Sequence, residues 1–134
     1  MDFYKYKFLT FYLLLISTLS FSQVTDLKNY SINEGLPNSN VIDAVQDADG
    51  YIWFATQGGG IAQFDGITFK VFNDENGLNS NFINPLLFKK DSLFIGTNDG
   101  LSIQQNQSFT HFKSAKVNKL ASIKNKLYLA TEKG

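Results

Sequence analysis

The chain has 134 residues, 43% hydrophobic and 15% aromatic, with a formal net charge of zero. That composition is too apolar for a disordered chain, and the length allows one ordinary domain. All twelve basic residues are lysine, so no guanidinium fork is present to read phosphates or base edges, which argues against nucleic-acid recognition. Without cysteine there is no disulfide framework, thiol nucleophile or Cys-based metal site.

Residues 1–22 read as a secretory signal peptide. Lys5 and Lys7 give a positive start, and residues 8–19 are apolar apart mainly from Thr10, Ser17 and Thr18. Ser20-Phe21-Ser22 sets small residues where a signal peptidase inspects the chain, so cleavage is expected between Ser22 and Gln23. An uncleaved anchor is the alternative, but a spanning helix wants about 20 apolar residues. The mature chain, 23–134, is therefore expected to be exported and to make no membrane contact of its own.

Beyond residue 23 the chain repeats itself. Ile52-Trp53-Phe54-Ala55-Thr56 recurs as Leu93-Phe94-Ile95-Gly96-Thr97 and again as Leu127-Tyr128-Leu129-Ala130-Thr131. Each copy reads aliphatic, aromatic, large apolar, small, threonine. Turn-formers precede each: Asp49-Gly50, Asp91-Ser92 and Asn125-Lys126. Gly35-Leu36 also returns as Gly77-Leu78, and Phe69 and Phe72 return as Phe109 and Phe112. The period is about 41 residues with short strands between turns, which is the pattern of propeller blades. Helical repeats of that length would need sustained i, i+3, i+4 apolar spacing, which is missing.

One unit reads in order as a strand at 40–46, a turn at 47–50 and a strand at 51–56 that is apolar on both faces. A loop at 57–60, a strand at 61–64, a turn at Asp65-Gly66 and a strand at 67–72 complete it. The expected architecture is all-β: four-stranded antiparallel blades at 40–72 and 81–112, a partial blade at 117–134 and an isolated outer strand at 27–31. Pro85 falls in the first strand of the second blade, where a missing N–H is tolerable only at a sheet edge. The innermost strand of a blade is such an edge. The small residues Ala55, Gly96 and Ala130 mark where neighbouring blades approach. Blades cut at both ends suggest a fragment of a longer protein; a short chain closing a ring by oligomerising is the alternative.

These residues carry a resemblance. Tyr30-Ser31-Ile32-Asn33-Glu34-Gly35-Leu36-Pro37, Asp47-Ala48-Asp49-Gly50-Tyr51-Ile52-Trp53-Phe54-Ala55-Thr56, Gly60-Ile61 and Phe64-Asp65-Gly66 resemble the two-component regulator propeller repeat. The second unit has Phe94 in place of the tryptophan, and the third has Tyr128 and no Gly-Leu linker. The resemblance implies the extracytoplasmic sensor region of a bacterial hybrid histidine kinase, on the periplasmic or cell-surface side. It further implies additional blades, a transmembrane helix and a kinase elsewhere, and a small glycan fragment as ligand. A secreted, non-catalytic binding or scaffold propeller without a signalling domain is the alternative reading.

Candidate chemistry is sparse, and no residue is assigned a catalytic, cofactor or metal role. His111 is the single histidine and has no partners for a metal site or triad. Asp47-x-Asp49-Gly50 starts like a calcium loop but lacks the later acids, so it reads as a hairpin turn. Gly58-Gly59-Gly60 lacks the Lys-Ser/Thr and the helix of a phosphate loop. Asn29-Tyr30-Ser31 and Asn106-Gln107-Ser108 fit glycosylation sequons at close to chance frequency. What remains is the loop end of the blades, where linkers 33–39 and 74–80 should meet loops 57–60 and 98–100. Gln57, Asn98, Asn38 and Asn81 are the candidate ligand-binding amides there, able to bond sugar hydroxyls, against a background of ordinary turn composition.

Overall fold

A computed structural model describes residues 27–134, together with Tyr4 and Lys7. The signal-peptide reading and its Ser22–Gln23 cleavage point lie outside the described residues, those two aside. Among the described residues no helix is long and apolar enough to cross a membrane.

The chain forms three antiparallel sheets in sequence. The first holds β1 (Val41–Gln46), β2 (Ile52–Thr56), β3 (Ile61–Phe64) and β4 (Phe69–Phe72), in that spatial order. The second repeats it with β5 (Ile83–Lys89), β6 (Ser92–Thr97), β7 (Gly100–Gln105) and β8 (Ser108–Lys113). The third pairs β9 (Val117–Ile123) with β10 (Lys126–Thr131). These are propeller blades built as meanders, each strand pairing with the next.

Residue pairing explains why the sequence period works. Each first strand breaks register at the same place: between Val41 and Asp43, between Ile83 and Leu86, and between Val117 and Lys119. A bulge at this edge bends the strand and raises its twist. Pro85 sits inside the second bulge, where the ladder asks it for no N–H. Gly96 shows the cost of a larger neighbour there: an added Cβ would lie 2.8 Å from Pro85 Cδ and 2.9 Å from Val117 Cγ1 of the next sheet.

The sheets stack through apolar faces. Trp53, Ala55 and Ile61 of the first meet Ile83, Leu86, Leu93 and Ile95 of the second in one core. Trp53 stacks on Phe72 at 5.6 Å, and Phe72 meets Phe109 edge-on at 5.6 Å. A smaller core of Leu101, Val117 and Leu120 joins the second sheet to the third. Full burial of one such side chain stabilises by roughly 1.5–3 kcal/mol, so the stack, not strand propensity, holds the sheets.

The structure corrects several expectations. Residues 27–31 form no strand and join none of the three sheets, and Leu27 is exposed. Tyr30 instead packs edge-on against Phe64 (4.7 Å) and Phe69 (5.8 Å). It stands toward the first sheet as Phe72 stands toward Phe109 of the second. Lys28 lies over the Tyr30 ring as Lys70 lies over Phe72, at 4.8 and 5.1 Å. The fourth strand starts at Phe69 rather than at residue 67, because the Asp65 carboxylate accepts from Ile67 N, Thr68 N and Thr68 Oγ1 and holds those residues in the turn. The turns before β6 and β10 are Lys90-Asp91 and Lys124-Asn125, one residue earlier than expected. All four residues have positive φ, the two-residue hairpin geometry that matches strand twist. Ser92 and Lys126 already belong to strands.

Candidate functional site

The linkers before the first and second sheets share one local design. Ser31 caps a 3-10 turn at Ile32–Glu34, its hydroxyl accepting from Asn33 N while the Glu34 carboxylate accepts from Ser31 N and Oγ. Asn73 and Asn76 do the same around Asp74–Asn76. Both turns end on glycine at positive φ, Gly35 and Gly77, followed by buried Leu36 and Leu78. Ser-x-x-Glu is a capping box legible in the sequence at residues 31–34. The hydrogen bonds from Ser31 hold the Glu34 carboxyl below its ordinary range.

These linkers meet the β2–β3 and β6–β7 loops at one end of the sheets. Thr56 Oγ1 donates to Gly60 O at 2.7 Å, Thr97 Oγ1 to Gly100 O at 3.0 Å and Thr131 Oγ1 to Gly134 O at 2.9 Å. The clasp keeps each loop tight. Gly60 and Gly100 could not carry a side chain, since a Cβ would collide with the carbonyls of Phe72 and Phe112. Gly58 N and Gly60 N both donate to Asn81 O at 3.0 Å, stitching the first sheet's loop to the second linker.

The four amide candidates come to this end, and each is engaged within it. Asn38 Oδ1 accepts from Asn40 N at 2.8 Å, and Gln57 Oε1 accepts from Asn40 Nδ2 at 3.0 Å. Asn81 bonds Asp74 twice, Oδ1 accepting from Asp74 N and Nδ2 donating to Asp74 Oδ1, both at 2.8 Å. Asn98 Oδ1 accepts from Asn84 Nδ2 at 3.1 Å. At Asn38, Gln57 and Asn98 the bond falls on the amide oxygen, which leaves the NH₂ to donate to a ligand. The exposed ring of Phe82 stands among them, near Gly58 and Asn38, and sequence reasoning did not single it out.

Other candidates resolve into structural roles. His111 Nδ1 lies 2.9 Å from Ser102 Oγ, which donates to Asn79 Oδ1 at 2.6 Å, while Asn79 Nδ2 reaches Asp99 O. The chain of bonds ties the outer strand to the linker through a fully buried serine that no substrate reaches. Asp47 is a turn-maker: Oδ1 accepts from Asp49 N and Tyr51 N, and Oδ2 accepts from Trp53 Nε1 at 2.7 Å. Among the described residues no group of three acids or histidines could hold a metal ion. A cleft of about 970 Å³ opens at the opposite, hairpin end, between Asp47, Tyr51, Lys70, Asp91 and Gln107.

Comparison with known proteins bears on these units. The family model for the two-component regulator propeller matches residues 35–58. Over residues 35–58 the chain is thus similar to a two-component regulator propeller repeat. This repeat runs from the linker glycine through β1 and β2 into the loop, so it contains Asn38, Gln57 and the Asp47 turn. The crystallised extracellular domain of a protein from B. thetaiotaomicron, described as a hybrid two-component system, shares the fold at a TM-score of 0.72 and 24% identity. The match covers 78% of this chain and 17% of that one. No curated protein sequence matches the chain.

Proposed function

We propose that this chain contributes blades to an exported sensor propeller of a two-component system. In this reading, further blades and a histidine kinase lie in other parts of the protein, and a small glycan fragment is the signal. The regulator propeller repeat at 35–58 is the observation that carries the reading, supported by the shared fold of an extracellular domain described as belonging to such a system. The signal-peptide pattern of residues 1–22 agrees with export to the periplasmic or cell-surface side. The blades bind and transmit; catalysis belongs to the kinase.

The test is transcriptional. In-frame removal of residues 41–113 from the chromosomal gene should abolish induction of a set of genes when cells meet the inducing glycan. An unchanged expression profile, with the blades still exported, would favour a secreted binding propeller without signalling.

A further inference from the structure

Asn76-Gly77 is the one place in the chain where glycine follows asparagine. With no Cβ on the following residue, its backbone nitrogen can approach the side-chain amide carbon of the asparagine without steric hindrance. The two linkers differ at this step. Gly35 N donates to Ile32 O at 3.2 Å, whereas Gly77 N donates to no acceptor among the described residues. The neighbouring side chain is already polarised. Asn76 Oδ1 accepts from Asn73 N at 2.8 Å, while Nδ2 reaches Val71 O only at 3.4 Å. The short bond draws electrons from Cγ and stands where an oxyanion on Oδ1 would need a donor. Asn76 is exposed and its 3-10 turn buries no residue, so the segment opens at little cost.

We propose that Asn76 is a site of self-modification, at which attack by Gly77 N converts the neutral cap of the second linker into an acidic one. Gly77 N gives up its proton and bonds to Asn76 Cγ, the Cγ–Nδ2 bond breaks, and Nδ2 leaves as ammonia carrying that proton. Solvent water then opens the resulting five-membered imide at either carbonyl and leaves aspartate or isoaspartate at position 76. Nothing is oxidised or reduced. The two products act differently on the linker. Aspartate keeps the acceptor for Asn73 N and supplies there the carboxylate that Glu34 supplies in the first linker. Isoaspartate lengthens the main chain by one carbon between Asn76 N and Leu78 N, the two amides that donate to Asn73 O. That extra carbon loosens the hold on Leu78, which is buried in the core shared by the first two sheets.

Peptide mapping by mass spectrometry, after incubation of the full chain at mildly alkaline pH, tests the assignment, with enzymatic methylation of isoaspartyl carboxyls as a second readout. Asn76 is expected to deamidate at least about 10-fold faster than any other asparagine of the chain, faster still as pH rises, and to give isoaspartate alongside aspartate. A Glu34→Asn variant sets the same dipeptide in the first linker, where the following amide is bonded to Ile32 O. Position 34 of that variant should convert at least about 10-fold more slowly than Asn76. Conversion of other asparagines ahead of Asn76 in the unaltered chain would overturn the site. Equal rates at positions 34 and 76 would overturn the role of the unbonded Gly77 amide. If altered Trp53 fluorescence shows the variant misfolded, the map of the unaltered chain decides alone.

Discussion

Strands β6 and β10 read alike, Leu-Phe-Ile-Gly-Thr against Leu-Tyr-Leu-Ala-Thr, yet their surroundings are opposite. Leu93 and Ile95 of β6 are 0% exposed, whereas Tyr128 of β10 is 50% exposed and Leu129 lies at the surface beside it. β6 is paired on both edges and stacked on both faces; among the described residues β10 is paired with β9 alone. The same pattern of aliphatic, aromatic, large apolar, small and threonine thus lies in a core in one place and at the surface of the described residues in the other. Burial in a repeat belongs to the neighbours as much as to the sequence, as expected where each unit contacts only those beside it.

The largest effect that would sharpen this contrast is cavity formation. Leu93→Ala should destabilise by about 2–5 kcal/mol in urea unfolding, while Leu127→Ala, in the equivalent place on β10, should cost under about 1.5 kcal/mol. Equal costs would break the comparison. Overpacking comes next: Gly96→Val presses on Pro85 and Val117 and should cost about 1–3 kcal/mol, against little change for Ala130→Val. Smaller again is Trp53→Phe, which keeps the stack on Phe72 but strips the Asp47 carboxylate of its indole donor; a loss of about 1–2 kcal/mol is expected.

The two linkers give the finest contrast. Both carry a capping box, but Glu34 closes the first and Asn76 the second. Glu34 is held below the ordinary carboxylate range by its bonds to Ser31, and Asp65 by its bonds to Thr68 and Ile67. A depressed folded value means stability present above the unfolded value, near 4 for carboxylates, and lost as pH falls through the folded one. Melting midpoints should therefore drop as pH falls below about 4, and Glu34→Gln should flatten part of that slope. An Asn76→Asp substitution should add acid sensitivity to the second linker, because it places a titratable group in the box.

The repeat and its strands were legible because pleated period and turn chemistry are local. Ile61–Phe64 falls where its apolar residues and flanking turns put it. Residues 27–31 misled because Leu27 and Tyr30 copy the spacing of a strand, while strand formation needs a partner ladder that spacing cannot supply. The extent of β4 was hidden in the three hydrogen bonds Asp65 makes, and the turns before β6 and β10 in the positive φ of four ordinary residues. The loop-end amides could be assembled from the period alone. Phe82 could not, since the hairpin turn after the first strand is one residue shorter in the second sheet, which makes Phe82 the equivalent of Asn40 and not of Val41, and only the hydrogen-bond pattern reveals it. The Ser102–His111–Asn79 chain was invisible for a different reason: the first sheet has Ala62 paired with Val71 at those positions, so the repeat carries no trace of it.

Amide hydrogen exchange tests most directly whether neighbours confer burial. Leu93, Phe94, Ile95 and Gly96 should be uniformly protected, since β6 pairs on both edges, whereas β10 amides not bonded to β9 should exchange near the unprotected rate. Comparable protection along β6 and β10 would contradict the account.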